Sequence, residues 1–565
     1  MKPLYQSIRA SFSKDIYMPV CPVVAAPTVV LEVKIASDLA FLSAEKPPQN
    51  VVLHISSDLT VEGKPLYDVL ALCSRSVPIL YIDDAETVAP LAEFCDLNHV
   101  GDAILCARFE NKEILSAAYN AMPMLRGMLD CRGMIPEIEK LPGMAVSCGA
   151  TSVILDPEVA TSDAVHSLQQ RFIHILTYGS FSRAATRGVN GIITEDMAGA
   201  YDFLASFPEG TTFRRRQLIA HKGFQNDGKY SENTITSVVA AAENHFEGAE
   251  IDVKLTVDNV PVVMHNTNTK GLFDCDVAVT EESTYEFLSS LRRIEHPNET
   301  IDKFSDLMHE MKKHPDTPVL IEIKPSAKYF KVELLTAMTD ELLRDGESQE
   351  NCIGIMGGTL EPGLRYVHDR IPYLPLGWCE GGKSIPPAPE TREEAEDRLY
   401  RVARISRGCA AGYNPEDVGI NRFFNEYAKF RMLHVFVWSR SWTLSPSKWE
   451  ENGPSNDKTY LSGFDAWTTD HGEKYLDYPI SLEAILPDDL SQPIRPECML
   501  KFRDGSTRRS DCNILPISGE ITKRDDGNFI VRGDATLIYT YRIDLHFGDS
   551  YVICSEPVNL RSDSF

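Results

Sequence analysis

An α/β chain built around a parallel barrel is predicted by three observations. Short β-branched apolar runs alternate with stretches of helical periodicity, several of these runs end in charged or imidazole side chains, and the same order of runs recurs in two consecutive portions of the chain. Strand, helix, strand with carboxylates at strand ends is the pattern of a TIM (β/α)8 barrel.

The central portion carries the chemistry. Leu218-Ile219-Ala220 runs into His221-Lys222-Gly223, and Ile235, Val238, Val239, Ala242 and Phe246 then recur at helical spacing with Asn233 or Thr234 as N-cap. Ala249 to Thr256 reads as a strand, so Glu250 and Asp252, two apart, share a face and can share one cation. With Asp258-Asn259 as a two-residue turn and Pro261 to Met264 as the returning run, Asp252 is expected opposite His265. Thr317 to Lys324 reads as a buried parallel strand with Glu322 and Lys324 on one face, where charges are costly unless used or paired. Histidine, cation and paired carboxylates at this spacing can hydrolyse a phosphodiester on a metal ion.

In this order the segment from about 216 to 480 resembles the glycerophosphodiester phosphodiesterase family. The family pattern of His-Arg-Gly, Glu-Asn-Thr, Glu-x-Asp, His-Asp and Glu-x-Lys is met by His221 and Gly223, Glu232-Asn233-Thr234, Glu250 and Asp252, His265, then Glu322 and Lys324. Val435 to Trp438 and Gly463 to Asp470 fit the seventh and eighth barrel strands. Lys222 stands where the family has arginine and Asn266 where it has aspartate, and a lysine offers a point charge in place of a planar fork.

The residue types and the resemblance together imply a mechanism. Glu250, Asp252 and Glu322 make an all-oxygen cage for one divalent cation, Mg²⁺ or Ca²⁺ rather than zinc. One of His221 and His265 acts as general base and the other as general acid. Lys222 and Lys324 meet the phosphate, with Lys324 alternatively neutralising Glu322. Trp378 and Trp438 form an apolar substrate wall or pack in the core, and Glu232 and Asn233 support the site or the helix start. The expected activity is hydrolysis of a glycerophosphodiester to glycerol 3-phosphate and an alcohol. Two alternatives stand beside it: a phospholipase D-like or cyclising activity on lysophospholipids, and a phosphate-ester-binding scaffold without turnover.

Residues 20–210 are expected to form a degenerate, non-catalytic TIM-barrel-like domain, complete or truncated. Gly188 to Glu195 parallels Gly463 to Asp470, Ile173 to Tyr178 parallels Leu433 to Trp438, Asp156-Pro157-Glu158 parallels Asn414-Pro415-Glu416, and Val77 to Asp84 parallels Thr317 to Lys324. That register sets Ile82 at the position of Glu322, while Glu32 and His54 are matched with Asp252 and His265; no His-x-Gly precedes them. Stabilisation, homo-oligomer formation and ligand sensing are the open roles for this domain.

Residues 485–565 are expected to form a small β-sandwich-like accessory domain. Leu537, Tyr539, Tyr541, Ile543, Leu545 and Phe547 alternate strictly, and Asp504-Gly505 and Gly548-Asp549 supply turns. With 56 basic and 82 acidic residues the net charge is −26, which opposes nucleic acid as a partner and leaves a small phosphodiester as the expected one. No continuous apolar run suggests a membrane span. Thirteen cysteines without a Cys-x-x-Cys pair fit reduced thiols and a cytoplasmic location. Phosphate-loop, Gly-x-Ser-x-Gly and His-Glu-x-x-His motifs are absent from the sequence.

Overall fold

The computed structural model describes residues 16–276, 279–323, 332–344, 352–357, 361–379, 410–413, 428–438 and 456–561. Eight parallel strands close the first barrel: β1 (Thr28–Glu32), β2 (Asn50–Ile55), β3 (Val77–Ile82), β4 (Ile104–Arg108), β5 (Arg126–Asp130), β6 (Ala150–Ile154), β7 (His174–Tyr178) and β8 (Gly191–Ile193). Both faces of β1 to β3 are largely apolar along their middle residues, which is why these strands read as near-continuous runs. Val30, Val52, Ile79, Ile104, Met128 and Leu176 fill the interior, while their sequence neighbours Val29, Val51, Leu80 and Leu105 pack on helices through Leu66, Leu91 and Leu115. The ring is complete, so this domain is a whole barrel.

The second barrel comprises β9 (Gln217–Ala220), β10 (Gly248–Leu255), β12 (Val319–Ile323), β13 (Cys352–Gly357), β14 (Leu376–Cys379), β15 (Ala410–Tyr413), β16 (His434–Trp438) and β17 (Ala466–Thr469), with β11 (Pro261–Val263) antiparallel to β10. Its ring closes because β9 pairs with both β10 and β17. The hairpin differs from the sequence expectation by one residue. Val253 pairs with Val263 and Leu255 with Pro261, and the Thr256 and Val260 backbones bond across a three-residue loop, Val257 to Asn259. Asn259 takes a left-handed φ of 61°, the conformation that three-residue hairpins place at that position. Met264, not His265, therefore faces Asp252, its amide donating to the Asp252 carbonyl at 2.9 Å.

Matching local bonds support the repeat. The residue before the second strand, Gln49 in one barrel and Glu247 in the other, accepts from the second residue of the first strand, Val29 or Leu218. Asn190 and Asp465, each just before the eighth strand, accept from Ile175 and Val435 in the seventh. Phe172 and Met432, two residues before β7 and β16, both have left-handed φ, at 63° and 53°. These anchors reset the alignment made from sequence. Glu32 corresponds to His221, Val52 to Glu250 and His54 to Asp252; because His54 pairs with Tyr81 as Asp252 pairs with Glu322, Tyr81 and not Ile82 holds the glutamate position. Ile82 faces the helices instead. The counterparts Asn414 to Glu416 lie outside the described residues.

The barrels meet foot to foot, at the N-terminal ends of their strands. Phe172 caps the lower interior of the second barrel, stacked on His434 at 4.4 Å and Phe436 at 5.3 Å and packed with Ile219, Leu320 and Ala466. Asp102 sits between Arg126 (2.6 Å) and Arg431 (2.8 Å), all three fully buried. Asn50 donates to the Phe430 carbonyl, and Gln170 to that of Glu247.

At the carboxyl end, β18 (Ser481–Ala484), β19 (Glu497–Lys501) and β20 (Thr507–Asp511) form one sheet, and β21 (Asn513–Lys523), β22 (Phe529–Asp544), β23 (Ser550–Cys554) and β24 (Val558–Leu560) form most of another. Along β22 and beyond it, Leu537, Tyr539, Ile543 and Leu545 are buried while Tyr541 and Phe547 are half-buried, following the alternation in the sequence. The larger sheet is not confined to this segment: Val23–Val24 and Thr211–Thr212 extend it beyond β23. Among the described residues no helix is long and apolar enough to cross a membrane.

Candidate active site

The C-terminal ends of β9, β10, β12 and β17 converge on one acidic cluster. Glu250 and Asp252 follow the period of two along β10, and the parallel register sets Glu322 directly beside Asp252. One carboxylate oxygen from each of the three lies within 4.8 Å of the others, and all three residues are buried. Three carboxylates at that spacing and depth could hold a cation together, and an all-carboxylate donor set suits a hard divalent ion. The donor set thus fits the metal expected from the sequence.

Each carboxylate is oriented from its surroundings. Asn233 clamps Asp252 twice, its Nδ2 donating to Oδ2 and its Oδ1 accepting from the Asp252 amide, both at 2.9 Å. Asn233 can do this because it adopts a left-handed φ of 54° just before Thr234, which caps the helix Ile235–Glu243. Glu250 Oε2 accepts from the Lys222 amide at 2.9 Å. Lys222 and Gly223 are both left-handed, at 54° and 80°, and a Cβ on Gly223 would fall 2.2 Å from Ser237 Oγ. The Gly223 requirement is therefore steric.

His221 follows β9 directly and is buried. Its Nδ1 lies 2.7 Å from Asp470 Oδ1, and its Nε2 lies 3.9 Å from Glu250 Oε2, so Nε2 is the nitrogen presented to the cluster. Burial pulls the imidazole pKa down, but the charge and hydrogen bond of Asp470, then the charge of Glu250, outweigh it and raise the value to about 9. His265 is half-buried two residues beyond β11, and its Nδ1 lies 2.8 Å from Asn266 Oδ1. With the Asn266 oxygen as acceptor, the ring form that bonds it carries a proton on Nδ1.

The other sequence-predicted residues divide. Lys222 Nζ lies 3.2 Å from Glu232; burial lowers the lysine pKa and Glu232, Asp252 and Glu250 more than restore it. Glu232 thus partners Lys222 as well as preceding the helix. Lys324 lies outside the described residues, as do the side chains of Trp378 on β14 and Trp438 on β16. Two site residues were not singled out from sequence. Asp470, one past β17, reaches His221 only because the ring closes; an acid at the end of the eighth strand next to a histidine at the end of the first was the available signal. Arg293, buried, donates to Ser231 Oγ at 2.8 Å and to the Asn233 carbonyl at 3.2 Å, fixing the turn that clamps Asp252.

Residues 221–347 match the Glycerophosphoryl diester phosphodiesterase family. The chain is 29% identical over 132 residues to Glycerophosphodiester phosphodiesterase 1 of Mus musculus, covering 22% of this chain and 39% of that protein. It is 30% identical over 119 residues to the same-named protein of Rattus norvegicus, covering 20% and 35%. The matched segments therefore span well under half of these relatives. Among solved structures, a glycerophosphodiester phosphodiesterase from Parabacteroides distasonis shares 19% identity over 46% of this chain and 94% of its own, with a TM-score of 0.35. The matched segment, residues 221–347, holds His221, His265 and all three carboxylates of the cluster.

Proposed function

We propose that the protein is a metal-dependent phosphodiesterase that hydrolyses a glycerophosphodiester to glycerol 3-phosphate and an alcohol. The observation that carries this reading is the buried Glu250, Asp252 and Glu322 cluster with His221 held against it by Asp470. The family match and the names of the curated relatives support the same substrate class.

Glu250, Asp252 and Glu322 would hold one divalent cation, Mg²⁺ or Ca²⁺, which when bound supplies a positive charge to the phosphoryl oxygens. His221 and His265 divide the proton transfers: one takes the proton of the nucleophile and the other returns one to the leaving alkoxide. Asp470 holds Nδ1 of His221 and so turns its Nε2 to the cluster, while Asn266 lies against Nδ1 of His265. Lys222 and Lys324 add positive charge for the phosphate. The first barrel has no such chemistry, because Val52, His54 and Tyr81 replace the three carboxylates and Glu32 replaces His221. We assign it a non-catalytic role. The free cysteines of the described residues accord with a cytoplasmic location.

Glycerophosphocholine, glycerophosphoethanolamine and a lysophospholipid, each incubated with Mg²⁺, Ca²⁺ or chelator, test the reading. Release of glycerol 3-phosphate from the first two, lost in His265→Ala, supports it. A cyclic phosphate or a lysophosphatidic product would instead identify the cyclising or phospholipase D-like activity, and product formation unaffected by His265→Ala would remove the site assignment.

A further inference from the structure

A second group of metal-binding side chains lies at the opposite end of the catalytic barrel, where the two barrels meet. His174 opens β7 and His434 opens β16, equivalent positions of the repeat, and their rings meet at an angle with 5.9 Å between centroids. Both are buried, at 1% and 0% exposure, and neither nitrogen of either ring has a hydrogen-bond partner among the described residues. Asp465, just before β17, brings a carboxylate oxygen to 3.8 Å from His174 Nε2. One ligand atom from each of the three lies within 4.8 Å of the others.

From this arrangement we infer that His174, His434 and Asp465 form a structural metal site of the zinc type, joining the two barrels at their feet. Two buried imidazoles without partners are uncommon, since buried polar atoms are nearly always bonded. A divalent ion accounts for both rings and the carboxylate together. Each ring is buried with both nitrogens unbonded, and a neutral imidazole offers a lone pair to a metal. Two nitrogens and one carboxylate oxygen suit zinc, whose bonds of about 2 Å need donors roughly 3.3 Å apart, a closure within the reach of side-chain rotation.

The carboxylate is already oriented for such a role. Arg214 donates to Asp465 Oδ1 at 2.8 Å and the Val435 amide donates to Oδ2 at 2.9 Å, the outer bonds that ligating carboxylates have. Arg214 also opposes a second cation, so the site is expected to bind more weakly than a thiolate-rich zinc centre. A cavity of about 210 Å³ lined by His174, Asp465, Arg214, Lys429 and Cys21 adjoins two of the three ligands. The first barrel cannot supply a matching second carboxylate. Asn190, the counterpart of Asp465, is occupied by the Ile175 amide and by Gln169.

The test uses the full chain carrying Glu250→Gln and Glu322→Gln, which disable the catalytic cage. Titrated with Co²⁺, this chain should bind one equivalent with the strong visible absorption of a low-symmetry nitrogen-ligated site, and Zn²⁺ should raise its thermal unfolding midpoint. Adding His434→Gln should abolish both effects while circular dichroism shows the fold retained. Absence of cobalt absorption and of any zinc-dependent shift in the double-carboxylate variant would overturn the proposal, whether or not the His434 variant folds. So would cobalt stoichiometry and spectrum unchanged by His434→Gln and by His174→Gln.

Discussion

A carboxylate 2.7 Å from Nδ1 decides which nitrogen of His221 is turned toward the acidic cluster. The imidazole is pulled down by burial and lifted to about 9 by Asp470 and then Glu250, so the Asp470 charge is the largest upward influence on it. In Asp470→Asn burial is opposed less, and the His221 pKa falls. The limb of the pH–rate profile governed by His221 should therefore move to lower pH, with kcat reduced by about 100-fold or more; an unmoved limb would mean that His221 does not titrate in the reaction. Glu250 and Asp252 were legible in the sequence because a strand repeats every two residues and two acids on one buried face have few structural uses. Asp470 was less so, because its partner lies 249 residues away and only ring closure joins them.

The β9 to helix turn shows how an element enforces the site. Lys222 turns its amide onto Glu250, and Gly223 passes so close to Ser237 that any side chain would collide. Gly223→Ala should destabilise the fold by about 1–3 kcal/mol, measured by urea unfolding, through a left-handed φ and the clash acting together. Activity should fall with it as the Glu250 bond is displaced. The hairpin after β10 departs from the turn its sequence suggests. Asp258-Asn259 read as a two-residue turn, but Asn259 alone is left-handed and the loop takes three residues, which moves the whole pairing by one. The same parity governs the first barrel, where the pairing of His54 with Tyr81, and not an end-to-end sequence match, shows which residue stands at the Glu322 position.

At the scale of the whole molecule, the barrels are joined by packing and by buried charge. Phe172→Ala removes the ring that caps the lower interior of the second barrel and should cost about 3–5 kcal/mol of stability by denaturant unfolding. A near-zero change would mean the barrels do not depend on that contact. His174 and His434 add a pH dependence. Both are held below the ordinary value of 6.5 by burial, so the stability they contribute is present above pH 6.5 and is lost as pH falls toward about 4 and about 3. Chelator-treated protein should lose stability on acidification below that value, and a His174→Gln, His434→Gln chain should lose less. The existence of two barrels was legible because strand order repeats. Their foot-to-foot contact was not, since Asp102, Arg126 and Arg431 come together only through long-range packing.

The most direct test of the central claim is metal-dependent release of glycerol 3-phosphate from glycerophosphocholine, comparing the chelator-treated chain with Glu250→Gln and Glu322→Gln. Activity should vanish on chelation, return when Mg²⁺ or Ca²⁺ is restored, and not return in either variant. Full activity in the presence of chelator, or in both glutamine variants, would contradict a reaction built on the Glu250, Asp252 and Glu322 cage.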